Sequence, residues 1–243
     1  MDALSKVAEL VLKNRKCVAL TGAGISVGSG IPPFRTADGL WQKYDPAVYA
    51  SVEVFRRDPS KYWSIRGKFI RNYDQYQPNA AHLSLAQLEK MGLLSSIITQ
   101  NIDGLHKKAG SQSVIEIHGS LREITCLSCG KGYLAPAIPS GDPPMCPCGG
   151  VLKPNTVLFG ERLPEGALLN AQREAAQCRI MLLIGTSAVV MPAAALPELA
   201  KQQGAVVIEI NPENAFLNAD ISLQEKAEIV LPRLIQIIQT LII

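Results

Sequence analysis

The sequence lacks any run of about 18 apolar residues, the length that a membrane-spanning helix needs. Its first residues also lack a basic stretch followed by an apolar one, so we expect no signal peptide. The net charge is only +3, and the basic residues are scattered, which gives no surface dedicated to nucleic acid. These absences predict a cytoplasmic protein that binds neither membranes nor nucleic acid directly.

The composition is that of a folded protein without internal repeats or low-complexity segments. Hydrophobic residues make up 47% of the chain and charged residues 19%, which excludes an intrinsically disordered protein. A chain of 243 residues is long enough for one α/β domain that carries a smaller insertion. We therefore expect a sizeable hydrophobic core.

Unbroken apolar runs alternate with segments of helical periodicity. The apolar runs lie at 17–20, 93–98, 114–117, 180–184 and 205–210. The helical segments lie near 4–11, 52–76, 81–91, 164–177, 193–202 and 231–243. Apolar runs without polar alternation are typical of strands buried on both faces, so the predicted fold class is α/β, a parallel sheet covered by helices. Residues 28–48 contain too many glycines and prolines for a regular element and predict a long loop.

Residues 119–155 differ in composition, being rich in glycine, proline and cysteine. The cysteines form two close pairs, Cys126 with Cys129 and, after sixteen residues, Cys146 with Cys148. Four thiolates in this pattern suit one tetrahedral structural Zn²⁺ ion, with unpaired or disulfide-linked cysteines as the alternative. We expect a small module held together by something other than a hydrophobic core. Cys17 and Cys178 lie in or beside apolar runs and are expected in the core.

Polar and glycine-rich clusters follow several of the apolar runs. They lie at 21–26, 99–106 and 184–187, and Asn211 follows a fourth run. In an open parallel sheet, ligands bind where the carboxyl ends of the strands meet, so the clusters together predict a binding site. Each cluster alone is also compatible with a capped turn. His118 ends another run beside Gly119, the placement of a general base, whereas His82 and His106 are expected to be structural.

The turn Gly22-Ala23-Gly24 follows an apolar run, and its open backbone suits a pyrophosphate. The third glycine of the dinucleotide motif is absent, since that position is Val27. No acidic residue ends a second strand about twenty positions later, which disfavours a hydride-transferring dehydrogenase. A nucleic-acid-binding zinc ribbon is disfavoured because residues 119–155 carry few basic side chains.

Taken together, the motifs resemble those of the sirtuins, in the family's order and over nearly the whole chain. The motifs are Gly22-Ala23-Gly24-Ile25-Ser26, Gly30-Ile31-Pro32 with Phe34-Arg35, Thr99 to His106, His118-Gly119, the paired cysteines, Val157-Leu158-Phe159-Gly160-Glu161 and Gly185-Thr186-Ser187. The resemblance implies a prokaryotic NAD-dependent protein lysine deacylase. Its cosubstrate would be NAD, its partners acylated lysine peptides, and its metal one structural Zn²⁺ ion.

The resemblance also implies a domain division and a monomer. A Rossmann-like NAD-binding domain would comprise residues 1–40, 80–119 and 156–243. A smaller domain would combine a helical module, residues 41–79, with a zinc module, residues 120–155. Protein mono-ADP-ribosyl transfer from the same NAD site is the alternative function.

Residue roles follow from the resemblance. The catalytic residues would be His118, as general base, and Asn101. The NAD-binding residues would be Gly22, Ala23, Gly24, Ser26, Phe34, Arg35, Gln100, Asn101, Ile102, Asp103, Gly185, Thr186, Ser187, Asn211, Pro212, Glu213 and Ala227. The peptide and acyl group would contact Val157, Phe159, Gly160, Glu161 and Val190, and the zinc ligands would be Cys126, Cys129, Cys146 and Cys148.

Two finer expectations concern the substrate and a loop. Sirtuins that remove acidic acyl groups carry a Tyr-x-x-Arg pair, whereas here Tyr62 and Arg66 are four positions apart and 66–69 stand in that place. Without that pair, burying a carboxylate is costly, so we expect acetyl or longer apolar acyl groups. We also expect the loop 28–46 to be mobile without NAD.

Overall fold

The structure, a computed structural model, describes residues 2–32 and 44–242. Phe34, Arg35 and residues 33–43 of the predicted mobile loop lie outside the described residues. Among the described residues, no helix is both long and apolar enough to cross a membrane.

A six-stranded parallel sheet forms the centre of the fold, which confirms the predicted α/β class. The strands of the chain are β1 (Cys17–Thr21), β2 (Leu94–Thr99), β3 (Val114–Glu116), β4 (Gly119–Cys126), β5 (Gly132–Leu134), β6 (Leu152–Thr156), β7 (Ile180–Ile184), β8 (Val206–Ile210) and β9 (Ile221–Leu223). The order in the large sheet is β3-β2-β1-β7-β8-β9. Strand β9 was not predicted, because three partly exposed residues give no apolar run.

The described residues form α-helices that cover both faces of this sheet and others, between residues 46 and 71, that pack with a smaller second sheet. They are α1 (Ala3–Asn14), α2 (Pro46–Tyr49), α3 (Val52–Arg57), α4 (Ser60–Arg71), α5 (Ala80–Lys90), α6 (Leu105–Lys108), α7 (Glu165–Gln177), α8 (Leu196–Gln202) and α9 (Ala227–Ile242). Short 3₁₀ helices span Ala23–Ser29, Tyr73–Gln75 and Ala193–Ala195. Asp2 caps α1 by accepting from the Ser5 N–H at 2.7 Å, and Asn79 forms a capping box with His82 at the start of α5.

All five residues of β1 are buried, which explains why its sequence has no polar alternation. Cys17 and Ala19 pack in one core with α1, α5 and α9, whereas Val18 and Leu20 pack in a second core with α7 and α8. Cys178 lies in that second core, so both cysteines outside the two pairs are core residues, as predicted.

A second sheet is antiparallel and has the order β5-β4-β6. Of the four paired cysteines, Cys126 ends β4 and the other three lie in the segments between its strands. The expectation that this module lacks a hydrophobic core was wrong. Leu121, Ile124 and Leu152 of the sheet are buried against Phe55 and Trp63 of helices α3 and α4. The Trp63 indole N–H also donates to the Leu152 carbonyl at 3.0 Å. The zinc and helical modules therefore share one core, because each supplies an apolar face that it cannot bury alone.

Candidate active site

The carboxyl ends of β1, β2, β7 and β8 bring the predicted clusters together at one edge of the large sheet. The Gln100 amide donates to the Thr186 hydroxyl at 2.9 Å, and the Asn211 amide donates to the Thr186 carbonyl at 3.0 Å. The Gly185 N–H donates to the Ile210 carbonyl at 3.1 Å. Clusters from four separate strands therefore form one continuous polar surface, as expected for a ligand site at this edge.

The glycines of the first and third clusters allow two turns to pack backbone against backbone. A Cβ on Gly22 would lie 2.7 Å from the Thr186 Cβ, and a Cβ on Gly24 would lie 2.7 Å from the Gly185 Cα. The Gly24 N–H donates to the Gly185 carbonyl at 2.8 Å. Gly185 has φ +58°, and a Cβ there would lie 2.4 Å from the Ile25 nitrogen. Close approach of the two turns accounts for these glycines before any ligand is considered.

A buried hydrogen-bonded chain links Asn101, Ser26 and Asp103. The Asn101 amide donates to the Gly22 carbonyl at 3.0 Å and to the Ser26 hydroxyl at 3.1 Å. Ser26 in turn donates to Oδ2 of Asp103 at 2.7 Å, while Oδ1 of Asp103 accepts the Leu105 N–H at 2.9 Å. Burial raises the pKa of the Asp103 carboxyl. These hydrogen bonds fix the orientations of the Asn101 and Asp103 side chains.

A pocket opens next to this chain, between the two sheets. Its wall includes the side of the first cluster, the turn after β2, helix α4 and β4: Ala23, Ser26, Ile31, Pro32, Ile65, Arg66, Phe69, Asn101, Ile102, Asp103 and Leu121. Seven of these eleven residues are apolar, and Ser26, Arg66, Asn101 and Asp103 supply the polar groups. Such a pocket fits a flat, mostly apolar group that carries a hydrogen-bonding substituent.

His118 lies where the two sheets meet, between β3 and β4. Its Nδ1 lies 2.9 Å from the carbonyl oxygen of Gln100. A carbonyl only accepts, so Nδ1 carries the proton and Nε2 carries the lone pair that can take one. Gly119 next to it has φ +75°, and a Cβ there would lie 1.9 Å from the Asn155 carbonyl oxygen. The geometry makes His118 a half-buried imidazole with a fixed tautomer, and its role as a base stays a prediction.

Glu209 is a site residue that the sequence analysis missed. It is 1% exposed, and its Oε1 accepts from the Asn211 amide at 3.1 Å and from the backbone N–H groups of Ala215 and Phe216. Its Oε2 accepts from the Ser222 hydroxyl at 3.1 Å. Glu209 thus fixes the Asn211 amide and the loop that follows. The sequence feature that could have revealed this role is a carboxylate within the apolar run 205–210.

The remaining residues of the predicted NAD set lie around the same edge. Ser187, Pro212 and Glu213 are exposed, and Ala227 is buried at the first position of α9. Their assignment to NAD stays a prediction.

The segment 157–161 lies beside His118, because the Val157 N–H donates to the His118 carbonyl at 2.9 Å. The Phe159 N–H donates to the Ala50 carbonyl and its carbonyl accepts from Val52, both at 2.9 Å. The main-chain groups of Phe159 are therefore not available to a peptide strand added to this segment. Glu161 accepts the Leu158 N–H at 2.8 Å, which folds the end of the segment back on itself.

Val190 lies elsewhere in sequence, in the loop between β7 and the 3₁₀ helix Ala193–Ala195. It is half-buried, its carbonyl accepts from the Ala194 N–H at 2.8 Å, and its neighbours Val189 and Met191 are exposed. The loop thus presents apolar side chains to solvent.

The four paired cysteines converge as predicted. Their sulfur atoms all lie within 4.8 Å of one another, with Cys126 and Cys148 sulfurs 3.5 Å apart and Cys129 and Cys146 sulfurs 3.7 Å apart. A tetrahedral zinc ion with Zn–S bonds of about 2.3 Å separates its sulfurs by about 3.8 Å, so the set fits zinc and not two disulfides. The Tyr133 hydroxyl donates to the Cys146 sulfur at 3.0 Å and lowers the pKa of that thiol to about 6, which favours the thiolate.

Comparison with known proteins gives consistent results. The Sir2 family model matches residues 22–192. An NAD-dependent protein deacylase of Pyrococcus furiosus is 43% identical over 96% of this chain and 97% of its own length. An NAD-dependent protein deacetylase of Sulfolobus acidocaldarius is 43% identical over 99% of this chain and 97% of its own.

Solved structures agree in fold. A complex of a Sir2 homologue with NAD has a TM-score of 0.90 at 43% identity and covers 100% of this chain and 96% of the other. A Sir2 complex with a deacetylated p53 peptide and 3′-O-acetyl ADP ribose has a TM-score of 0.90 at 35% identity, covering 96% and 97%.

Proposed function

The chain belongs to the Sir2 family, and we propose that the sheet edge around His118 is the active site of its reaction. The protein is an NAD-dependent protein lysine deacylase, which moves the acyl group of acyl-lysine to ADP-ribose and releases nicotinamide. The structural neighbour that holds acetyl ADP ribose favours this reaction over mono-ADP-ribosyl transfer to protein. The cytoplasmic location, the monomeric state and the domain boundaries stay predictions from the sequence.

The observation that carries the proposal is the hydrogen bond between Nδ1 of His118 and the Gln100 carbonyl. It directs the basic Nε2 away from the backbone of β2 and keeps the ring in one tautomer. An imidazole whose proton is held at Nδ1 needs no rearrangement before it accepts a proton. Val157, whose N–H bonds to the His118 carbonyl, holds the proposed peptide segment beside it.

NAD, when bound, would supply an electrophilic ribose carbon that exchanges nicotinamide for the carbonyl oxygen of acyl-lysine. His118 then removes the proton of a ribose hydroxyl at Nε2, so that the hydroxyl attacks the former amide carbon and the acyl group moves to the sugar. The imidazolium, whose Nδ1–H still donates to Gln100, would return this proton to the lysine nitrogen as its bond to the acyl carbon breaks, and one water molecule would then add to the acyl carbon. Free lysine and O-acyl-ADP-ribose are the products.

We assign the nicotinamide end of NAD to the pocket beside Asp103. Ile102 and Leu121 supply apolar walls, and Asp103, held by Ser26, faces the amide substituent. Since burial raises the Asp103 pKa, this carboxyl is suited to exchange hydrogen bonds with an uncharged amide. The adenosine end belongs at Gly185 and Asn211, where Glu209 fixes the amide.

The acyl-lysine peptide is assigned to the segment 157–161, with Gly160 offering main-chain bonds and Val157, Phe159 and Ile102 lining the acyl tunnel. Phe159 is 46% exposed. The premise of the acyl prediction needs correction, because Arg66 does line the pocket. A four-residue spacing on helix α4 places Tyr62 and Arg66 on one face, and burial lowers the pKa of the guanidinium.

Mass spectrometry of an acetyl-lysine peptide incubated with and without NAD tests the function. We expect NAD-dependent loss of the acetyl group together with O-acetyl-ADP-ribose. NAD consumption with retention of the acetyl group, or a peptide mass increased by ADP-ribose, would refute the deacylase assignment.

A further inference from the structure

A polar groove adjoins the proposed peptide segment on the side of helix α3. Its charged lining residues are Arg56 of α3, Lys153 of β6, and Glu161 and Arg162 of the segment that follows β6. Gly160, the residue assigned to main-chain bonding with the peptide, also lines it. The groove is therefore continuous with the proposed acyl-lysine site.

Two of the four charges cancel within the fold. Lys153 Nζ lies 3.2 Å from Oε2 of Glu161 and donates to the Thr156 carbonyl at 3.0 Å. The same Glu161 oxygen accepts the Leu158 N–H. Both groups thus have structural partners, and they hold the segment 157–161 against β6.

The remaining charges are the exposed guanidinium groups of Arg56 and Arg162. The salt bridges within residues 2–32 and 44–242 include neither of them. Asn155 on the same wall is exposed and adds a polar group. The charged residues that line the groove, three basic and one acidic, therefore sum to a net charge of +2.

The backbone fixes Arg56 relative to the peptide segment. The Val52 N–H donates to the Phe159 carbonyl at 2.9 Å, and Val52 is the first residue of α3. Arg56 follows one helical turn later, on the same face of the helix as Val52. A short rigid connection therefore joins the acyl tunnel to the positive groove.

We propose that this groove binds acidic side chains that flank the acyl-lysine in the substrate protein. The proposal rests on the deacylase function, because that function places the peptide along the segment 157–161. Successive residues of an extended peptide are about 3.3 Å apart, so carboxylates a few positions from the lysine reach past Gly160. Guanidinium groups bind carboxylates through paired hydrogen bonds, which gives two arginines a preference for Asp or Glu over neutral residues.

Four acetyl-lysine peptides of equal length test this: Glu before the lysine, Glu after it, neutral flanks and Lys flanks. We expect kcat/KM for one of the two Glu peptides to exceed that of the neutral peptide by about fivefold at low salt, and the Lys peptide to be the poorest. About 0.5 M NaCl should remove most of this preference. Equal kcat/KM values for all four peptides would overturn the proposal.

Variants of the two groove arginines test whether the groove causes the preference for Glu peptides. In Arg56→Gln/Arg162→Gln, the ratio of Glu to neutral peptide should fall to about one, whereas Arg57→Gln, an exposed neighbour outside the groove, should keep it. A double variant that retains the full ratio refutes the groove assignment.

Turnover of the neutral peptide reports on the deacylase function separately. Fluorescence anisotropy of labelled peptides, measured without NAD, shows the preference of the groove even if no peptide is deacetylated. Equal affinity of the protein for Glu and neutral peptides would then count against the groove alone.

Discussion

The buried rings of His82 and His106 lie side by side beneath the active site, with their centroids 4.9 Å apart. Nε2 of His106 is 2.9 Å from the Thr21 hydroxyl, and Nε2 of His82 is 3.4 Å from the Ser26 hydroxyl. Burial lowers the pKa of His82 to about 4, and burial together with the facing His82 ring holds the pKa of His106 well below its usual range. Both rings are neutral at pH 7, as structural histidines should be.

This pair predicts a loss of stability in mild acid. Below the ordinary histidine pKa of 6.5, these histidines are protonated in the unfolded chain. In the folded chain His82 stays neutral until the pH approaches its lowered pKa of about 4. The contribution of each neutral histidine to the free energy of unfolding should therefore be complete above pH 6.5. It should fall by up to about 1.4 kcal/mol per pH unit as the pH drops.

Urea unfolding of the parent and of His82→Gln between pH 7 and pH 5 measures this effect. The variant should show a slope smaller by about one proton. Asp103, whose raised pKa acts with the opposite sign, is common to both proteins and cancels in the comparison. Identical slopes would mean that His82 does not titrate as its burial implies.

The cysteine cluster predicts one zinc ion per chain that is structural and not catalytic. Cys129→Ser should abolish stoichiometric zinc and lower the unfolding midpoint, because metal binding contributes directly to folding. Cys178→Ser removes a thiol from the core and should retain the zinc. Elemental analysis of both purified variants decides the matter. Full zinc content in Cys129→Ser would contradict the four-sulfur site.

Gly185 and Gly204 form a matched pair for testing the contact between the two glycine turns. Both have positive φ, +58° and +84°, but only a Cβ at Gly185 meets other atoms within 4 Å. Gly204→Ala should cost about 1 kcal/mol of stability from backbone strain. Gly185→Ala should cost more than about 3 kcal/mol, because Ile25 and Gly24 must move. Equal costs in chemical denaturation would show that the two turns are not tightly packed.

The acyl preference can be measured on acetyl-, myristoyl- and succinyl-lysine peptides. We expect the apolar acyl groups to be preferred by at least about tenfold, because the residues assigned to the acyl tunnel, Val157, Phe159 and Ile102, are apolar, whereas Arg66 lines the pocket assigned to nicotinamide. A preference for succinyl-lysine would refute this. Loss of such a preference in Arg66→Met, but not in Lys68→Gln on the exposed side of α4, would then assign it to Arg66.

Local patterns were enough to predict the sheet and most of its edge. The apolar runs 17–20, 93–98, 180–184 and 205–210 became neighbouring strands, so the polar groups after them had to converge. The cysteine spacing likewise predicted a cluster that the fold forms.

What the sequence did not reveal depends on contacts between distant residues. The core that the antiparallel sheet shares with helices α3 and α4 depends on the contact of Trp63 with Leu152, which no periodicity encodes. The role of Glu209 depends on backbone N–H groups that a loop brings back to it. The spacing of Arg66 from Tyr62 does not show that Arg66 lines the pocket. That position follows from the packing of α4 against the turn after β2.

The most direct test of the account is the product ratio of His118→Asn. The asparagine amide can replace Nδ1–H as donor to Gln100 but cannot accept the ribose proton. We predict that nicotinamide release from NAD in the presence of acetyl-lysine peptide continues, while O-acetyl-ADP-ribose formation falls by about 10² or more. Formation of O-acetyl-ADP-ribose at the parental rate would contradict the assignment of His118 as the base.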